Sequence, residues 1–229
     1  MSDAERHLDH PVWSCLTTRH AHFARGGQLA RRYVETISPI GAVSGASAAH
    51  IAALEALIGV DEDVALIGPA PALPANWETL YASRLTQMIR RDASPLPAGD
   101  IQPVKLGADD VPEMRELVEL THPGPFRART VELGTYIGIR EHGRLIAMAG
   151  ERMWIGDHRE VSAVCTHPDA QGRGYARAMV GRVVNRMLRA AEIPFLHVDN
   201  PNRRAIDMYL ALGFVPRAEL PLLYTKRIA

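Results

Sequence analysis

Residues Val164 to Arg177 constrain the fold of this chain more than any other stretch. A β-type run ends at His167-Pro168, a tight loop carries Gly172 and Gly174, and a helix follows over Gly172 to Ala190. The helix is read from its apolar stripe: Ala176, Met179, Val180, Val183, Val184, Met187 and Leu188 recur at the i, i+3, i+4, i+7 spacing. A strand that turns directly into a long amphipathic helix requires a layered α/β arrangement. It also converges several backbone N–H groups at a helix N-terminus, where phosphate binds. Gly172 and Gly174 put no side chain in the way, and Arg173 and Arg177 add positive charge. Read alone, the segment also fits an ordinary glycine turn. It does not fit a dinucleotide fingerprint, because the third glycine of G-x-G-x-x-G is Arg177 here and no βαβ unit with a suitably placed acidic residue follows.

The surrounding pattern supports a mixed α/β fold with a mostly antiparallel sheet flanked by helices. From residue 101 onward it predicts a strand (Ile101 to Leu106), a helix (Val111 to Leu120), and strands Thr135 to Arg140 and Leu145 to Trp154 joined by a glycine-bearing hairpin turn at 141–144. Strand Glu160 to Thr166, the long helix, strand Phe195 to Val198, helix Arg203 to Leu212 ended by Gly213, and a strand pair from Phe214 to Arg227 complete it. Earlier in the chain the signals are a strand around Ala30 to Ile37, a helix around Ala48 to Ile58 and a strand Val64 to Ile67. Trp77, Leu80, Tyr81, Arg84, Leu85 and Met88 follow helical spacing and predict a further helix. Proline-bearing stretches at Gly68 to Pro74 and Ser94 to Gly99 mark boundaries, giving an N-terminal α/β region, residues 1–95, and a larger unit, residues 100–229.

Charge excludes whole classes of partner. The 26 Lys and Arg residues balance 26 Asp and Glu, which removes the field expected of a general nucleic-acid or anionic-membrane binder. Any anion site is therefore local. Two distant cysteines, Cys15 and Cys165, form neither a disulfide framework nor a zinc spacing, which fits a reducing cytoplasm. The first residues lack a basic segment followed by an apolar run, so no secretory signal is expected, and no stretch reads as a membrane span. His20 and His22, with His7 and His10 nearby, lack a further ligand at telling spacing, so no metal site is expected.

A second motif, Asn202-Arg-Arg-Ala205-Ile-Asp-Met-Tyr209-Leu-Ala-Leu-Gly213-Phe214, lies downstream of Gln171-x-x-Gly174-x-Ala176. Together they resemble the Gcn5-related N-acetyltransferase superfamily, GNAT, over residues 100–229. The combination with a smaller preceding region resembles its glycine N-acyltransferase-like branch, in which a degenerate N-terminal half packs against the catalytic half. Two positions depart from the family pattern: Ala176 replaces a common second helix glycine, and Gly172 stands where Arg or Gln is frequent. Alanine is small enough for the loop to close.

The resemblance implies a GNAT fold and transfer of an acetyl group from acetyl-CoA to an amine, on a small molecule or a peptide. It implies that the backbone of Val164, Cys165 and Thr166 pairs with the pantetheine arm and offers an N–H to the acetyl oxygen. Gln171, Gly172, Arg173, Gly174, Tyr175, Ala176 and Arg177 would hold the pyrophosphate, and Asn202 would contact the cofactor arm. Tyr209 is the implied acid for the leaving thiolate, and Glu160 the implied base, with Glu151 and His197 as other contenders. Cys165 reads as a small core residue rather than a nucleophile, since no base is adjacent in sequence. The N-terminal region would shape the acceptor site or make a homodimer contact. The loop His122 to Leu133, with Phe126, Arg129 and Glu132, would set acceptor specificity. The rival from another class is a non-catalytic acyl-CoA-binding sensor.

Overall fold

The computed structural model describes residues 3–97, 99 and 101–229; positions 1, 2, 98 and 100, which touch the expected chain start and second boundary, lie outside the described residues. After a 3-10 turn, helix α1 (Pro11–Thr17) starts with Pro11 in its first turn, where a missing N–H costs nothing. Strands β1 (Ala24–Gly26), β2 (Ala30–Tyr33) and β3 (Ile40–Val43) lead into α2 (Ala48–Glu55), β4 (Asp63–Ile67) and β5 (Trp77–Ile89). The second half contains β6 (Val104–Leu106), α3 (Val111–Thr121), β7 (Tyr136–Glu141), β8 (Arg144–Ile155), β9 (His158–Thr166), α4 (Tyr175–Arg189), β10 (Ile193–Asp199), α5 (Arg203–Ala211) and β11 (Val215–Arg227).

These strands form one 11-stranded sheet in the order β1-β2-β3-β4-β11-β5-β10-β9-β8-β7-β6. Only β3 with β4 and β9 with β10 run parallel. The sheet continues across the expected boundary, and each half lends its last strand to the other: β5 lies between β10 and β11, and β11 between β4 and β5. α4 and α5 cover one face through Met179, Val180, Val183, Val184, Ile206 and Tyr209. The other face is covered by α1, around Val12, Leu16, Tyr33 and Phe195, and by α3, around Met114, Leu117 and Met148.

Two expectations are corrected here. The helix expected over Trp77 to Met88 is strand β5, and the expected terminal strand pair is the single 13-residue strand β11. β5 is hydrogen-bonded on both edges, to β10 and β11, and its end from Leu85 to Ile89 is almost wholly buried, so residues of both parities are covered. A strand covered on both faces loses the period-2 alternation and can mimic helical spacing.

Burial of His20 behind α1 makes a stability prediction. Its ring, 3% exposed and hydrogen-bonded with Tyr33 at 3.0 Å, is pushed from 6.5 down to about 4 by burial. Between those values the unfolded chain binds the proton more readily than the folded one. Stability is therefore unaffected above pH 6.5 and falls as pH drops toward 4, by on the order of 3 kcal/mol. Urea denaturation at several pH values should show this slope, and His20→Gln should flatten it.

Candidate active site

β9 and β10 are paired only through Ile193 with His158, Pro194 with Arg159 and Phe195 with Glu160. Beyond those pairs the strands part, leaving the 161–166 edge of β9 without a neighbour on the β10 side. A slip in the β8–β9 register and a left-handed Ala163 (φ 51°) bend β9 at that point. Unpaired strand edge is a template for an extended ligand. Thr166, at its end, has a buried hydroxyl without a hydrogen-bond partner among the described residues. Val164 packs against the α4 core, whereas Cys165 belongs to the α3 core, where burial pushes its thiol up to about 12. A thiol held protonated in this way is no nucleophile.

The strand runs on into the glycine loop. Gly172 and Gly174 take φ of 77° and 79°, and an added Cβ at either would meet nothing within 4 Å. Gly174 is the N-cap of α4 and offers no side-chain cap, so the first-turn N–H groups at Tyr175 and Ala176 are left for an outside acceptor. An open concavity of backbone donors fits a pyrophosphate. Arg173 is less available than its sequence position suggests: it pairs with Glu141 at 3.0 Å, and the Tyr175 hydroxyl donates to the same carboxylate. Among the described residues Arg177 makes only a long bond, 3.5 Å, to the Ala211 carbonyl, and Arg204 of α5 holds the Gln171 side chain at 3.1 Å. Arg204 was not singled out in sequence, because an arginine in the first turn of a short helix offers no signal of its own. Asn202 caps α5 by accepting from the Ala205 N–H at 3.1 Å.

Tyr209 lies on α5, 7% exposed and edge-to-face with Phe214 at 5.9 Å. Its hydroxyl has no hydrogen-bond partner among the described residues. Burial alone holds the phenol far above its ordinary pKa, so it keeps its proton at neutral pH, as an acid must.

Glu160 is fully buried, and both its oxygens are engaged. Arg152 approaches them at 2.6 and 2.8 Å, His197 Nδ1 lies at 2.7 Å and the Met153 N–H at 3.2 Å. Despite burial, the Arg152 guanidinium and these bonds hold the carboxyl well below the usual range. His197 is equally closed. Gln87 accepts from Arg217 at 2.8 Å and donates to the Leu8 carbonyl at 2.9 Å, which fixes its amide, so its NH₂ faces the Nε2 of His197 at 3.0 Å. The imidazole proton is thereby placed on Nδ1, toward Glu160. Glu160, the expected base, here braces His197 and offsets Arg152 with both oxygens. Glu151, buried with Arg186 and Arg159, does not line the cleft described below. Glu160→Gln should leave Arg152 buried without its counter-charge and cost about 3–5 kcal/mol, read by thermal or urea unfolding.

On the face away from α4, a cleft of about 720 Å³ reaches the parted strands. Its floor includes Leu85, Leu222 and Ile67, its roof Val118 and Phe126, and Arg152, His197 and Asp199 border the split. A small recess beside it is lined by Ser162, Ala163 and Tyr136. Phe126 and Arg127 thus represent the expected specificity loop, while Arg129 and Glu132 pair with each other on the exposed side. The site therefore has an open glycine loop with free backbone donors at one end, an unpaired strand edge in the middle and an apolar cleft at the other. The His20 and His22 rings lie 6.4 Å apart, centroid to centroid, and His20 is hydrogen-bonded with Tyr33.

Comparisons agree with this arrangement. The model of the acetyltransferase (GNAT) family matches residues 105–214. A GNAT-family protein from Novosphingobium aromaticivorans is 34% identical, with a TM-score of 0.87 over 96% of this chain and 98% of its own. A GCN5-related N-acetyltransferase from Kribbella flavida shares the fold at 16% identity, with a TM-score of 0.62 over 100% and 97% of the two chains. The L-amino acid N-acyltransferase MnaT of Escherichia coli (strain K12) is 26% identical over 106 residues, 44% of this chain and 62% of that relative. No helix among the described residues is long and apolar enough to cross a membrane.

Proposed function

Because the chain belongs to the GNAT acetyltransferase family, an acyltransferase family, we propose that it moves an acetyl group from acetyl-CoA directly to an amine within one ternary complex. The observation that carries this reading is the parting of β9 from β10 between an open glycine cradle and an apolar cleft. Bound acetyl-CoA supplies an activated thioester. Gly172 to Ala176 would receive the pyrophosphate, the Val164–Thr166 edge would pair with the pantetheine amides, and a freed N–H on that edge would polarise the acetyl oxygen.

The reaction balances with the groups present. The acceptor ammonium loses a proton to water in the cleft, and its nitrogen forms the C–N bond at the acetyl carbon. The C–S bond breaks, the leaving sulfur takes the Tyr209 hydroxyl proton, and the second proton shed by the new amide nitrogen returns through water to the tyrosine oxygen. An acyl-enzyme has no support, since burial holds the Cys165 thiol protonated. The relative's name supports a small-molecule amine as the acceptor class. Thiol release measured with acetyl-CoA and a panel of amines tests the proposal, with intersecting initial-rate lines expected. Parallel lines, or binding of acetyl-CoA without turnover of any amine, would contradict it.

We further read the N-terminal region as a degenerate half built on the same plan. Its parallel pair β3–β4 flanks α2 as β9–β10 flanks α4, but the cradle is filled: an added Cβ on Gly45 would lie 2.7 Å from the His50 ring, which is itself hydrogen-bonded with Ser47. Titration should therefore find one coenzyme A per chain. Two equivalents would overturn this.

A further inference from the structure

Every arginine lining the cleft is matched by a carboxylate. Arg115 pairs with Glu119 at 3.7 Å, Arg127 with Asp63 at 3.1 Å and Arg152 with Glu160 at 2.6 Å. Asp199 is the exception. It makes no ion pair among the described residues; its oxygens accept only hydroxyl protons, from Tyr81 at 2.5 Å and from Ser83. Both hydroxyls come from β5, so the N-terminal half orients this carboxylate. A half-buried carboxylate without a cation, at the mouth of an otherwise neutralised cleft, selects a positively charged ligand.

Sheet register shows what lies next to it. Asp199 is directly across from Leu85, Ser83 from Leu222, and Leu222 from Ile67; one row further, Tyr81 is across from Tyr224, Tyr224 from Ala65, and Ala65 from Ile40. Residues directly opposite point to the same face, so the floor runs from Asp199 across β5, β11 and β4 toward β3 as an apolar surface. At about 4.8 Å per strand it extends over roughly 15–20 Å. Beyond it, Arg127, Asp63 and Tyr224 close into a neutral cluster, with the tyrosine hydroxyl donating to the carboxylate.

We propose that the N-terminal half builds the acceptor site, and that the acceptor is a primary ammonium with an apolar body, its charge docked on Asp199 and its body laid over Leu85, Leu222 and Ile67. The inference rests on the acyl-transfer reading and adds to it the substrate class and the residues that recognise it. A second cation on the acceptor would be carried onto the apolar floor with no carboxylate left to meet it, and an anion would find each lining arginine already paired.

Three probes of equal length separate these cases: hexylamine, its diamine analogue and its ω-carboxylate analogue. Hexylamine should show the highest kcat/KM, by about tenfold or more. Asp199→Asn should raise the KM for hexylamine about 10–100-fold, the range expected for loss of a charge-assisted contact, with a smaller change in kcat and unchanged acetyl-CoA affinity. Leu222→Asp should erase the preference for hexylamine over the diamine. Titrating the three amines calorimetrically into the coenzyme A-bound chain, wild type and Asp199→Asn, decides the matter even without turnover. Preference for the diamine or the carboxylate, or equal hexylamine binding by wild type and Asp199→Asn, would overturn the proposal. Failure of the acyl-transfer reading shows separately, as absence of thiol release with every amine while hexylamine still binds.

Discussion

Tyr209→Phe is expected to lower kcat by a factor on the order of 10²–10⁴ while leaving acetyl-CoA affinity and folding stability nearly unchanged. The substitution keeps the ring against Phe214 and removes only an oxygen that has no hydrogen-bond partner among the described residues. Nothing in the fold depends on that hydroxyl, so a merely structural Tyr209 would tolerate its loss. A proton donor would not. Burial keeps the phenol protonated until a sulfur anion develops, and without it the leaving thiolate must take its proton from water. Steady-state kinetics alongside calorimetry and a melting curve separate the two cases; an unimpaired variant would remove Tyr209 from the mechanism.

The second large effect concerns the cradle. Gly174→Glu should weaken acetyl-CoA binding by about 10²–10⁴-fold, the equivalent of two lost charge-assisted backbone hydrogen bonds. Its added side chain enters the open space in front of α4 and brings a negative charge to the place a pyrophosphate occupies. The left-handed φ of 79° adds about 1 kcal/mol of strain, too little to unfold a chain of this size. Gly174→Ala carries the same strain without the bulk or charge and should bind acetyl-CoA far better than Gly174→Glu. Equal affinity in wild type and Gly174→Glu, measured by calorimetry, would place the pyrophosphate elsewhere.

How far the sequence reveals this molecule depends on whether the deciding contacts are local. The β7–β8 hairpin was legible because its turn needs two left-handed residues, and His142 and Gly143 supply them with φ of 50° and 81°. The start of α4 was legible for a similar reason, since Gly172 and Gly174 mark positive φ immediately before a strongly amphipathic run. β5 was not. Its identity is set by β10 on one edge and β11 on the other, strands more than a hundred residues away in sequence. Misreading β5 also concealed the proposed acceptor site, because Tyr81, Ser83 and Gln87 reach Asp199 and His197 only from a strand. Asp199 itself was within reach: period-2 alternation along β10 puts it on the same face as His197. Glu160 was singled out in sequence as the base, but its partners Arg152 and His197 come from neighbouring strands, so the ion pair and hydrogen bond that hold it could not be read locally.

Hydrogen–deuterium exchange with and without acetyl-CoA tests the central claim most directly, because it reports where the thioester carrier lies on the backbone. Protection is expected in two adjoining segments, residues 161–166 on the parted edge of β9 and residues 172–177 at the start of α4, with residues 44–50 of the N-terminal half unchanged. Protection centred on the N-terminal half, or none at 161–166 and 172–177 at saturating acetyl-CoA, would contradict the account.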